Sequence, residues 1–166
     1  MSIVTKEKLY QWCSIPAEEL EDHPALKVPF RICSDDEMGE IMARELVDEI
    51  KKFNQEGREF RAIIPCGPSC WYEPFCRIIN DEDVSLNNFV VFHMDECLDW
   101  QGRELPLKHP YSFKGFMQRN FYEPVNNELA VPEENRMWVG PDTIEEIKES
   151  VAEAPIHMTY GGWGQD

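Results

Sequence analysis

Basic charge is scarce: 16 Lys and Arg stand against 32 Asp and Glu, a formal net charge of −16 in 166 residues. A field of that sign repels phosphate backbones, and no Lys/Arg cluster opposes it locally, so nucleic-acid binding is disfavoured. A phosphorylated small molecule would have to rely on local donors: backbone N–H groups, a helix N-terminus or a few placed cations. Long apolar runs are missing as well. No stretch approaches membrane-spanning length, and Met1–Lys6 lacks the apolar core of a signal peptide. The expectation is a cytoplasmic protein without a membrane partner. Cys13, Cys33, Cys66, Cys70, Cys76 and Cys97 form no CxxC and no close-paired framework, which favours reduced thiols over disulfides and argues against a zinc site. Internal repeats and low-complexity stretches are absent. The length suits one α/β domain with a real core and is too short for two.

What is present alternates. Residues 1–29 read as a lead-in segment, with a short helix over about Lys6–Cys13 and then a Pro-punctuated acidic stretch. From residue 30 to 166 the pattern is that of one α/β domain. Phe30–Cys33 suits a short strand, and Ser34-Asp35-Asp36-Glu37 is a capping box for a long helix that should stop near Asn54–Gly57. Met38, Ile41, Met42, Leu46, Ile50 and Phe53 make its apolar stripe. Further strands are predicted at Phe60–Pro65, Asn88–Met94, Met137–Val139 and Ile156–Tyr160. Helices are predicted at about 71–80, 111–121 and 142–152. The unbroken apolar run Phe89–Phe92 fits a strand buried on both faces. Alternation of this kind predicts a doubly wound, mostly parallel sheet with helices on both faces, Rossmann-like, with the ligand outside the carboxyl ends of the strands.

That rule singles out three loops. Asp95-Glu96 follows the buried strand. A partly desolvated carboxylate there can abstract a proton, and a solvated acidic loop start is the plainer reading. Gly161-Gly162-Trp163-Gly164-Gln165-Asp166 can bring backbone N–H groups close to a ligand, or it is a flexible end. Cys66-Gly67-Pro68-Ser69 precedes a helix, so Ser69 and the first-turn N–H groups form either a phosphate cradle or a plain N-cap. Pro68, lacking an N–H, weakens the cradle. His93, Asp95, Cys97 and His109 repeat no ligand spacing, and no metal is expected. Cys97 has no identifiable partner base for a nucleophilic role. The Trp and Tyr residues are assigned to packing.

Taken together, these segments resemble the glucosamine-6-phosphate deaminase/isomerase family. Phe92-His93-Met94-Asp95-Glu96-Cys97 is similar to that family's Phe-Asn-Met-Asp-Glu-Tyr motif. His109-Pro110-Tyr111-Ser112-Phe113, followed by Phe116-Met117 and Asn120-Phe121, is similar to its His-Pro-x-Ser-Tyr segment and the Phe-Met and Asn-Phe-Phe positions after it. Ile156-His157 and the run from Gly161 to Asp166 resemble its Gly-Gly-Ile-Gly-x-Asp loop, stopping just before the family's Gly-His. Three motifs in the same order are specific in combination.

The resemblance implies an enzyme that opens the ring of an amino-sugar phosphate and shifts a proton between C1 and C2. An enolamine intermediate then becomes a ketose phosphate with release of ammonia, without metal or organic cofactor. Asp95 matches the enolisation base, and Asp166 the carboxylate that supports the ring-opening histidine. Cys66, Gly67 and Ser69 match the phosphate turn, and Glu96, Gly161 and Gly162 are carried over as substrate-binding positions. The expected partner is a small-molecule sugar phosphate, with room for a homo-oligomer through a sheet edge left open. His93, Cys66, Pro68, Cys70 and Cys97 depart from the family's residues, which implies an altered substrate or activity. Because the run stops at Asp166, before the family's ring-opening His and its Glu partner, the 166-residue chain is expected to be inactive or nearly so. Two rivals are a non-catalytic sugar-phosphate sensor or binding domain and a 6-phosphogluconolactonase-like hydrolase.

Overall fold

A computed structural model of the chain describes residues 4–162. It divides into two compact units after Ser34, a few residues beyond the boundary expected at 29/30. The first unit holds α1 (Lys6–Cys13), entered through the Thr5 hydroxyl, which accepts the Lys8 N–H, and a 3-10 turn at Ala17–Glu19. The strand expected at Phe30–Cys33 does not form. The segment joins no strand pair among the described residues, the Ile32 N–H is taken by the Glu21 carboxylate, and Phe30 and Ile32 are exposed. Apolar residues in an extended run make a strand only where a neighbouring strand accepts their backbone bonds.

The second unit opens with α2 (Asp35–Glu56), whose first turn carries Asp35, Asp36 and Glu37 where the helix dipole favours acids. It ends in a Schellman arrangement: Gly57 at φ 64° donates to the Asn54 carbonyl and Arg58 to that of Phe53. The buried side of α2 is Ala43, Leu46, Val47, Ile50 and Phe53. The expected Met38, Ile41 and Met42 lie at its margin, half-buried. There follow β1 (Phe60–Ile64), α3 (Tyr72–Asp81), β2 (Phe89–His93) and α4 (Phe113–Met117), the last running into a π-turn at Gln118–Tyr122 closed by Glu123 N–H donating to the Gln118 carbonyl. β3 (Arg136–Met137), α5 (Ile144–Glu153) and β4 (Met158–Thr159) complete the described chain.

All four strands are parallel, in the order β3-β2-β1-β4. The chain thus starts in the middle, builds outward through β2 and β3, and returns to the other flank of β1, which puts a topological switch between β1 and β4. The two edge strands are shorter than expected. β4 pairs through Met158 and Thr159, although ladder bonds continue on either side, from His157 N–H to the Arg61 carbonyl and from Tyr160 N–H to that of Ile63.

Alternation along the inner strands separates two faces. Phe60, Ala62, Ile64, Phe89 and Val91 join the core with α2, α3 and the π-turn. On the other face Arg61, itself buried, stacks its guanidinium over Phe92 and donates to the carbonyl and hydroxyl of Ser150 in α5. Helices therefore lie on both faces, as the alternation predicts.

Candidate active site

β1 and β2 end level, with Ile64 opposite His93, and Met94 N–H extends the pairing to the Ile64 carbonyl. Asp95 is the next residue, exposed at the carboxyl rim of the sheet. Across the rim the chain leaves β1 through Pro65 and turns at Cys66–Ser69, with the Gly67–Pro68 peptide cis. The Cys66 N–H faces Asp95 Oδ1 at 3.5 Å, so the base candidate and the phosphate-turn candidate are brought together. A hollow of about 340 Å³ opens there, lined by Cys66, Gly67, Pro68, Ser69, Pro110, Phe113 and Phe116.

Ser69 does not cap α3 with its side chain. Trp71 occupies the N-cap position, Ser69 accepts the Tyr72 N–H through its carbonyl, and its hydroxyl is left exposed. The plain N-cap reading therefore loses its support. The Cys66 thiol is pushed up to about 11, first by burial and then by the negative charges of Asp95 and Glu96. It is a protonated, poorly nucleophilic thiol at neutral pH.

Two residues that hold this turn are not evident from the sequence motifs. The Tyr72 hydroxyl donates to the Cys66 carbonyl at 2.6 Å, and burial raises its phenol far above the ordinary value. Gly39, in the second turn of α2, lies so close to the Cys70 carbonyl oxygen that a Cβ there would collide with it. A glycine inside a strongly periodic helix is itself a signal, because it costs about 1 kcal/mol relative to alanine and usually has a packing reason. Gly39→Ala should therefore destabilise the protein by roughly 1–2 kcal/mol despite the gain in helix propensity, since overpacking against backbone typically costs 1–3 kcal/mol. A urea midpoint higher than the parent's would contradict the contact.

Glu96 is not among the residues lining the hollow. Its Oε1 accepts the N–H groups of Cys97 and Phe113 and its Oε2 that of Lys114, each at 2.8 Å. The His109–Ser112 segment delivers the neighbouring cap: Ser112, buried, donates its N–H to the His109 carbonyl and accepts the Gly115 N–H on its hydroxyl. This is why α4 begins at Phe113 and not at Tyr111.

His93, the last residue of β2, is buried against the Trp138 ring, 3.6 Å between centroids and 3° from parallel, with Nε2 2.9 Å from the Tyr122 hydroxyl. Burial, then Lys114 and Arg136, lower its pKa to about 3. The folded protein keeps this ring neutral while an unfolded chain protonates it near pH 6.5. The unfolded state thus binds the extra proton between those values, and stability falls as the pH drops below about 6.5. The loss from this one group should reach about 2 kcal/mol at pH 5. Urea unfolding at pH 7 and pH 5 measures it, and His93→Asn, which cannot titrate, should flatten the difference.

Gly161 and Gly162 follow β4 on the far side of β1, exposed and with open space about each Cα. Asp166, with Trp163, Gly164 and Gln165, lies outside the described residues. Among those described, no group of three or more His, Cys, Asp or Glu could hold a metal ion, and all six cysteines are free. No helix among them is long and apolar enough to cross a membrane.

A parallel sheet with its first strand central, helices on both faces, and a carboxylate and a tight turn side by side at the carboxyl rim define a Rossmann-like α/β protein, a fold in which ligands as a rule bind at that rim. No family model matches the chain. It is 33% identical over 140 residues to a glucosamine-6-phosphate deaminase of Cronobacter sakazakii, an alignment covering 78% of this chain and 49% of the relative. To the enzyme of the same name from Pasteurella multocida it is 30% identical over 141 residues, covering 79% and 49%. A solved monomeric glucosamine-6-phosphate deaminase, described as a missing link of the NagB superfamily, shares the fold with a TM-score of 0.60 at 17% identity, covering 75% of this chain and 49% of that one. Over more than three quarters of its length the chain is thus similar to glucosamine-6-phosphate deaminases, and it spans about half the length of the relatives it matches.

Proposed function

We propose that this domain supplies the proton-abstracting base and the phosphate turn of an amino-sugar phosphate deaminase/isomerase, acting on glucosamine 6-phosphate. The reaction is ring opening, transfer of the C2 proton toward C1, and hydrolysis of the resulting imine to fructose 6-phosphate and ammonia. The observation that carries the reading is the placement of Asp95: an exposed carboxylate at the sheet's carboxyl rim, 3.5 Å from the Cys66 N–H and beside a hollow walled by the Cys66–Ser69 turn. Asp95 takes the proton. Gly67 and Ser69 offer N–H and hydroxyl donors to the phosphate. Gly161 and Gly162, which follow β4, are assigned to the sugar end of the site, and Asp166, outside the described residues, keeps the role the resemblance implies, support of a ring-opening histidine. A sugar phosphate is the small-molecule partner this chemistry requires.

Amide-resolved NMR titration tests the proposal. Glucosamine 6-phosphate should shift the Cys66, Gly67 and Ser69 amides saturably, and unphosphorylated glucosamine should do so far more weakly. Equal responses to the two sugars, or none at millimolar concentration, would remove the phosphate turn from the reading. Pro68 favours a second possibility, a domain that binds the sugar phosphate without turning it over, because it takes one N–H from the cradle. Saturable binding with no solvent deuterium entering C2 in the presence of the protein would select it.

A further inference from the structure

Glu96 stands directly after the proposed base, yet both its oxygens are committed to backbone. Oε1 receives the N–H of Cys97 and of Phe113, and Oε2 that of Lys114, all at 2.8 Å. A carboxylate accepting three N–H groups makes charge-assisted bonds in a fixed fork, among the stronger contacts a side chain can offer. Two of these partners, Phe113 and Lys114, belong to a separate segment, 17 and 18 residues further along. Phe113 is also a wall of the hollow, together with Pro110 before it and Phe116 one turn on. The opposite wall, Cys66–Ser69, is linked to Asp95 by the Cys66 N–H. One short stretch, Asp95-Glu96, thus touches both walls: Asp95 reaches the turn after β1, and Glu96 reaches the start of α4.

We propose that Glu96 is a positioning residue that clamps the Phe113 wall to the loop bearing Asp95, and so sets the width of the hollow in which the sugar phosphate is presented to the base. The inference rests on the reading of Asp95 as that base. It departs from the role carried over by resemblance, in which Glu96 touches substrate. A ligand atom competing for those oxygens would have to displace three bonded N–H groups, whereas a clamp uses the carboxylate as it stands. The geometric tolerance of such sites is narrow, and a displacement of 1 Å can cost about 100-fold in rate.

The test uses Glu96→Gln and Glu96→Asp in the full chain, with Glu96→Ala as the more drastic change. The amide of Gln turns a donor toward one of the three N–H groups, and Asp keeps the charge on a shorter arm. With the clamp in place, hydrogen exchange at the Phe113 and Lys114 amides should quicken at least tenfold in Glu96→Gln and less in Glu96→Asp, while the amides of Ile63 and Val91 in the central strands stay as in the parent. The Cys66 amide, which reports on Asp95, should shift in the same order. Affinity for glucosamine 6-phosphate should then fall in the same order, most in the variant whose wall is loosened most. Unchanged exchange at Phe113 and Lys114 in Glu96→Gln overturns the clamp, and so does weakened binding without any change in those amides, which would mean direct contact with the ligand. If the parent protein binds no sugar phosphate, the function proposed above falls, while the exchange and Cys66 measurements still decide whether Glu96 couples the two walls.

Discussion

Asp95→Asn is expected to lower proton abstraction from C2 of glucosamine 6-phosphate by roughly a hundred- to ten-thousand-fold, the usual worth of a positioned general base. The fold should not notice. Asp95 is exposed, its bond within the site is a long one from the Cys66 N–H at 3.5 Å, and the carbonyl oxygen of asparagine can accept that bond equally well. Binding should be largely kept, because the proposed phosphate donors sit across the rim on the Cys66–Ser69 turn. The step is best followed as entry of solvent deuterium at C2, which reports proton removal without requiring ammonia to leave. Parent and variant exchanging at the same rate, above that of the sugar phosphate without protein, would strip Asp95 of its role. A large drop in unfolding temperature would instead mean that the carboxylate holds the rim together.

The largest effect on stability should come from Trp71, one residue before α3. Its ring is fully buried and lies at centroid distances of 4.8 Å from Tyr72, 5.9 Å from Phe75, 5.3 Å from Phe121 and 5.9 Å from Tyr160. These neighbours come from α3, the π-turn and the end of β4, so one side chain joins the segment leaving β1 to the strand across the switch point. Trp71→Ala should cost about 3–5 kcal/mol, as expected for deleting a buried large aromatic. The indole N–H, however, is buried without a hydrogen-bond partner among the described residues, and an unsatisfied buried donor is itself unfavourable. Trp71→Phe keeps an aromatic ring and removes that donor, so its cost should be clearly smaller, roughly 1–2 kcal/mol. Urea unfolding of the two variants decides the matter: equal losses would mean that the ring packing contributes little.

The long-periodicity elements were legible because local chemistry specifies them. The Asp-rich first turn and Gly57 bound α2, and the apolar run at Phe89–Phe92 has no stable state except burial on both faces. Phe30–Cys33 carries a comparable strand signal and forms none, because pairing is a property of two segments and only one was visible. Glu96 and Asp95 are neighbours of the same charge and class. Nothing local distinguishes the exposed carboxylate facing the Cys66 turn from the one bound by three backbone N–H groups, since two of those groups, on Phe113 and Lys114, lie on a segment that only folding brings near.

The order of residues alone determined the α/β alternation, the parallel sense of the sheet and the rim on which Asp95, Cys66–Ser69 and Gly161-Gly162 would emerge, since periodicity and turn residues act over a few positions. Tertiary structure alone decided the β3-β2-β1-β4 order, the contact of Cys66 with Asp95, the close approach of Gly39 to Cys70 and the burial of a neutral His93 on Trp138. Each of these depends on groups distant in the chain meeting within a few ångströms, and hydrogen bonds, packing and desolvation act only over that range.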